Sequence, residues 1–356
     1  MGVQSFPWPS MSVTGVGSYP GVDPGEAARV VAGELPDLVH LPELPNRGPG
    51  ADLVGRASAL LVEFPLELWP SGWRVAERPG RDTLRATTYL SADLDAFEEH
   101  TQGYTGLAKI QVAGPWTLAA SVELRNGERM LSDPGAVRDL NESLAEGLRA
   151  HIENVRRRLP HATLVVQVDE PALTAVLDGR LPTASGYSRL RPVEEPVVEE
   201  RLRELFRLID TTGAVPVAHS CAAGVPIDLL RRAEATALSL DATLLTPDHD
   251  EAIGTAVEGG MGLWLGVVGI GENEVNSSAA TPSPATVLSH PAASVDTVRR
   301  MWHRIGFAPE TLTEAVVLTP RCGLAGASAR NARAALEAAS AAARVLREDP
   351  EGSLAG

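Results

Sequence analysis

One histidine and two cysteines carry the first chemical signal in the chain. Val215-Pro216-Val217-Ala218 leads into His219-Ser220-Cys221, and the only other cysteine, Cys322, follows the apolar run Ala315-Val316-Val317-Leu318-Thr319. Both places read as the carboxyl ends of strands, where a parallel barrel carries its chemistry. An imidazole and two thiolates suit Zn2+, and a catalytic zinc keeps one coordination position open. The plainer reading is a structural histidine and two small buried hydrophobes. The equivalent placement of both cysteines raises the metal reading to parity with it.

Other polar residues fall at strand ends too. Asp241 ends Thr236-Ala237-Leu238-Ser239-Leu240 and is the carboxylate candidate for a fourth ligand; Asp169-Glu170 ends the strongly strand-like Ala162–Val168, and Glu43 ends a run from Asp37. In a barrel these residues converge on one mouth, however far apart they lie in the chain. A substrate thiol on Zn2+ loses its proton at neutral pH, so such a site makes a thiolate nucleophile. Asp169 or Glu43 would bind a substrate ammonium by charge-assisted hydrogen bonds. The Gly17-Ser18 loop offers backbone N–H groups to a carboxylate. The bland alternative for Asp169-Glu170 is a helix N-cap with a first-turn acid before Pro171.

The elements that must position these groups alternate. Strands are expected near 13–20, 37–43, 106–113, 162–168, 215–219, 236–241, 261–268 and 315–319. Helices are expected at 24–35, 51–64, 94–101, 135–158, 197–211, 226–233, 249–258, 294–306 and 327–347. In 135–158 the residues Leu140, Leu144, Leu148, Ile152 and Val155 mark one helical face. Residues 69–81 read as irregular, 83–90 as an excursion or hairpin, 181–196 as a long surface connection, and 269–281 as a Gly- and Asn-rich loop. Eight strands separated mostly by helices predict an α/β protein of the (β/α)8 TIM-barrel class. No Gly-X-Gly-X-X-Gly follows the first strand, which weighs against a dinucleotide fold. The expected organisation is a flexible tail at 1–11, one catalytic barrel at 12–347 and a second flexible tail at 348–356.

Composition narrows the class further. With 356 residues the chain is long enough for a large core, and its net charge of −15 argues against nucleic-acid and acidic-membrane partners. No apolar run reaches membrane-span length, the first ten residues lack a signal-peptide pattern, and two distant cysteines offer no disulfide framework. A cytoplasmic location is expected.

Five ordered motifs resemble the cobalamin-independent methionine synthase family, in its carboxyl-terminal catalytic barrel, which is itself similar to uroporphyrinogen decarboxylase. They are Val16-Gly17-Ser18-Tyr19-Pro20, Ala113-Gly114-Pro115-Trp116-Thr117, Gln167-Val168-Asp169-Glu170-Pro171-Ala172-Leu173, His219-Ser220-Cys221 and Thr319-Pro320-Arg321-Cys322-Gly323-Leu324. The resemblance runs from about residue 12 to about residue 340. It implies methyl transfer to the thiol of homocysteine or a close analogue, giving methionine. His219, Cys221 and Cys322 would be zinc ligands, with Asp241 where the family has glutamate. Asp169 and Glu43 would bind the amino group, and Gly17 with Ser18 the carboxylate. The chain departs from the pattern in three ways. It has length for one barrel where the long folate-using enzymes have two. Asp241 reaches one methylene less far than glutamate. Val268-Gly269-Ile270-Gly271 stands where the family has Tyr-Asp-Ile-His, leaving Glu272 as the nearest acid to replace the histidine, with Asn273 beside it. These departures favour a corrinoid or corrinoid protein over folate as methyl donor. A zinc-binding barrel with altered catalysis and a regulatory or structural role, or a methyltransferase for another thiol, is the competing reading. Decarboxylation of the uroporphyrinogen type needs no zinc, so the two cysteines count against it.

Overall fold

A computed structural model describes residues 6–269 and 291–352. Its centre is a curled, all-parallel seven-stranded sheet. The strands are β1 (Leu38–His40), β4 (Leu107–Ala113), β5 (Thr163–Asp169), β6 (Val215–Ser220), β7 (Ala237–Asp241), β8 (Gly262–Val268) and β9 (Val316–Pro320), neighbours in that order. The fold is TIM-barrel-like, but among the described residues the sheet has no regular eighth strand. The segment expected to supply it, near 13–20, makes isolated parallel bridges instead, Val13 to Leu318 of β9 and Ser18 to Glu43 just beyond β1. Gly15 and Gly17 explain the irregularity. A Cβ at Gly17 would stand 2.9 Å from Gln111 Nε2, so the segment runs too close to the inward side chains for a side chain of its own.

Helices cover the outside of the sheet. The longest, α5 (Pro134–Arg158), starts at Asp133, whose carboxylate accepts from the amides of Gly135 and Ala136. It buries the face marked by Leu140, Leu144, Leu148, Ile152 and Val155. Helix α7 (Glu195–Thr211) buries Leu202, Leu205, Phe206 and Ile209 in the same way. Helix α4 (Pro115–Ser121) is short and almost wholly buried.

Several local expectations are corrected. Residues 83–90 are not a hairpin; they belong to α3 (Arg81–His100), a single 20-residue helix. The hairpin lies earlier, as β2 (Leu66–Trp69), just ahead of the stretch 69–81 read as irregular, and β3 (Gly72–Val75) inside it. The Thr87 and Thr88 hydroxyls donate to carbonyls four residues back, so these β-branched residues are tolerated on the exposed helix face. The helix expected at 51–64 shrinks to Leu53–Ser58. A further helix, Pro309–Ala315, precedes β9.

Inward-facing residues of the sheet form layers, because alternate side chains of a strand share a face. The lowest layer is a separate apolar cluster of Leu38, Leu107, Val165, Val217, Ala237, Trp264 and Val317. Trp8, in the segment expected as a loose tail, is buried edge-on against Trp264 and closes this end. The opposite end carries the polar groups.

Candidate active site at the carboxyl end of the sheet

Two residues further along each strand the interior turns polar. Lys109 of β4 is fully buried, and its ammonium donates to Val16 O at 2.7 Å, Gln167 Oε1 at 2.8 Å and Gln111 Oε1 at 3.3 Å. Burial pulls its pKa down to about 7 against the pull of Asp169 and Glu43. Gln167 Nε2 donates in turn to Val16 O and, at 2.7 Å, to Asp169 Oδ1. Asp169 is buried, and burial followed by the charge of Glu43 raises its carboxyl well above the usual range. Glu43 is buried and ion-paired with Arg56, Nε to Oε1 at 3.2 Å, and Arg56 also reaches Asp93. Ser18 and Glu43 meet through their backbones, with the Tyr19 amide donating to Glu43 O and the Glu43 amide to Gly17 O.

His219, Cys221 and Cys322 do come together. Ser239 Oγ sits 2.9 Å from His219 Nδ1, which turns Nε2 toward Cys221 Sγ at 3.2 Å. Burial, with Lys109 nearby, lowers the His219 pKa to about 3, so the ring is neutral. The two neighbouring thiols perturb each other, which raises Cys221 and lowers Cys322 to about 7. Cys221 also donates to Arg321 O at 3.3 Å. The Cys322 loop is held against the first motif, since the Leu324 amide donates to Ser18 O and a Cβ on Gly323 would collide with Ser18 Oγ. Asp241 is half-buried at the end of β7, but its Oδ1 accepts from the amide and hydroxyl of Thr243 and caps a short turn.

The donor chemistry, one neutral imidazole nitrogen beside two thiols, fits a soft divalent metal. Among the described residues, however, no group of three or more His, Cys, Asp or Glu side chains is arranged as a metal cage. Here the Cys221 thiol instead hydrogen-bonds to the imidazole. Glu272 lies outside the described residues.

Glu170 takes neither expected role. It is fully buried and accepts from the Trp116 amide at 2.9 Å, and from the Thr117 amide and hydroxyl, both at 2.7 Å. It caps the start of α4 from more than fifty residues away, and burial still pushes it up to about 7. Lys109, Gln111, Gln167 and His40 were not singled out from the sequence. The signal existed: Lys109-X-Gln111 and Gln167-X-Asp169 put polar residues at alternate places in otherwise apolar strands.

Residues 11–345 match the family described as the catalytic domain of cobalamin-independent synthase. The chain belongs to that family. The B12-independent methionine synthase from Shewanella sp. W3-18-1, in complex with selenomethionine, is similar in fold. It is 12% identical, covers 96% of this chain and 98% of its own, and has a TM-score of 0.61. A methyltransferase from Methanosarcina mazei is 15% identical, covering 95% of this chain and 94% of its own, with a TM-score of 0.52. No curated protein matches the sequence. Among the described residues no helix is long and apolar enough to cross a membrane.

Proposed function

We propose that the protein is a zinc-dependent methyltransferase that methylates the thiol of homocysteine or a close analogue. The observation that carries this reading is the meeting of His219, Cys221 and Cys322 beside the buried acids Asp169 and Glu43, in a chain of this family. His219, Cys221 and Cys322 would hold Zn2+, with Asp241 as a fourth ligand if its carboxylate leaves Thr243. Bound there, zinc would act as a Lewis acid and hold the substrate sulfur as thiolate. Ser239 fixes the imidazole orientation, and burial keeps the ring neutral and able to donate its lone pair. Asp169, aimed by Gln167, takes the substrate ammonium, with Glu43 assisting; the Gly17-Ser18 backbone meets the carboxylate.

For the methyl donor, a corrinoid or corrinoid protein is favoured over folate. Methyltetrahydrofolate gives up its methyl group readily only when the departing tetrahydrofolate nitrogen is protonated, and a positioned acid is worth about 10²–10⁴-fold. No histidine stands in Val268–Gly271 to give that proton. Glu272 would be the substitute acid, and a loop carboxylate needs a raised pKa to serve. A methyl–cobalt donor needs no proton. The same absence supports a second reading, a zinc-binding barrel with altered catalysis. The test is metal analysis of protein purified without added metal, followed by methionine formation from homocysteine with each donor. We expect one Zn2+ per chain and faster turnover with methylcobalamin. Folded protein that neither holds nor takes up zinc overturns the zinc site. Zinc-loaded protein inactive with both donors supports the second reading.

A further inference from the structure

A cavity of about 650 Å3 lies apart from the cysteines. It opens on the same end of the sheet, between the loop after β4, the start of α5, and the connection from β5 into α7. Its inner wall is apolar, built from Trp116, Leu131 and Val137, all buried, with Leu190 and Val193 beside them. Its rim carries Arg138, Arg189, Arg191 and Arg201. Four guanidiniums around one cavity stand out on a chain of net charge −15.

The four are not equally engaged. Arg138 pairs with Asp139, and Arg201 with Glu204 at 2.7 Å. Arg189 donates only to a backbone carbonyl, that of Arg180, and among the described residues neither Arg189 nor Arg191 has a carboxylate partner. The first amides of α5 are already taken by Asp133. The guanidiniums, rather than the helix end, therefore supply the recognition. On the apolar wall, the buried Trp116 indole N–H has no hydrogen-bond partner among the described residues.

We infer that this cavity binds a small organic anion with a flat apolar body, such as an aryl carboxylate or aryl phosphate. The apolar body packs against Trp116, Leu131 and Val137, and the anionic group faces Arg189 and Arg191. Cavities of this size hold drug-sized ligands, with a few polar groups fixing orientation. Planar, forked guanidinium donors match a carboxylate or phosphate. The site is separate from the cysteines and independent of the zinc reading. It still touches the other site through one residue, because the Trp116 amide holds Glu170 beside Asp169.

The test is titration calorimetry of the full chain with 2-naphthoate and with neutral 2-naphthamide, repeated on the double variant Arg189→Gln, Arg191→Gln. Both arginines are exposed, so the variant should melt like the parent. We expect one saturable 2-naphthoate site per chain, weakened about tenfold in the variant and by added salt, with 2-naphthamide binding unchanged. Equal affinity of parent and variant for 2-naphthoate overturns the proposal. So does the absence of saturable binding up to millimolar concentration.

Discussion

Gln167 lies between Lys109 and Asp169, accepting from the ammonium at 2.8 Å and donating to the carboxylate at 2.7 Å. One side-chain amide thus orients two buried ionisable groups that do not bond directly. The Lys109 charge opposes the burial that raises Asp169. The amide also fixes its own flip state, since its oxygen faces an obligate donor.

Asp169→Asn should therefore weaken homocysteine binding by about 10–100-fold, the worth of a charge-assisted hydrogen bond of about 1.5–3 kcal/mol. Zinc content should stay near the parent value, because Asp169 is not among the expected ligands. Calorimetry on zinc-loaded protein checks the first point and elemental analysis the second. Equal affinity would remove Asp169 from the site.

Glu170→Gln tests the buried cap. The side-chain amide offers one acceptor where three donors need two, so stability at pH 4.5 should fall by about 1–3 kcal/mol. Burial lifts the folded-state pKa of Glu170 from its ordinary 4.5 to about 7. The folded state binds the extra proton, so this contribution is full below 4.5 and is lost as pH rises through 7. Urea midpoints of the parent should carry this loss between pH 4.5 and 7. The variant should not, and an identical slope in both would place the Glu170 pKa elsewhere.

Gly323→Ala should collide with Ser18 Oγ. Overpacking of this kind costs about 1–3 kcal/mol. Adding Ser18→Gly removes the struck atom, so the double variant should recover most of the loss in a denaturation cycle. Additive losses would mean that the Cys322 loop and the Ser18 turn do not pack as described.

Cys322 is exposed, and its thiol is lowered to about 7, chiefly by its interaction with the neighbouring Cys221. In metal-free protein it should alkylate before Cys221, with a rate that rises through pH 7. Iodoacetamide labelling read by mass spectrometry gives the order. Added Zn2+ should protect both thiols if the proposed ligand set holds, and Cys221→Ser should abolish the protection.

Much of this site was legible as sequence because strand ends announce themselves. His219, Cys221, Cys322, Asp169 and Asp241 each follow a short apolar run, and a parallel sheet delivers all such ends to one side whatever their spacing. The alternation of Lys109-X-Gln111 in β4 and Gln167-X-Asp169 in β5 is equally visible in the sequence. The Arg-rimmed cavity was not visible. Arg138, Arg189, Arg191 and Arg201 sit on three separate segments with no shared pattern.

Local sequence by itself determined where most strands and helices lie, because apolar periodicity and Asp or Pro caps act within a few residues. It also determined which residue types reach the mouth. Tertiary packing alone decided three things. The 13–18 segment is bridged rather than stranded, because the Gln111 side chain and the His40 ring press against its glycines. Glu170 became the cap of α4 rather than of its own helix, since the amides of Trp116 and Thr117 need an acceptor in a place closed to water. The free thiols of Cys221 and Cys322 become neighbours because β6 and β9, a hundred residues apart in the chain, both end at the carboxyl side of the same curled sheet.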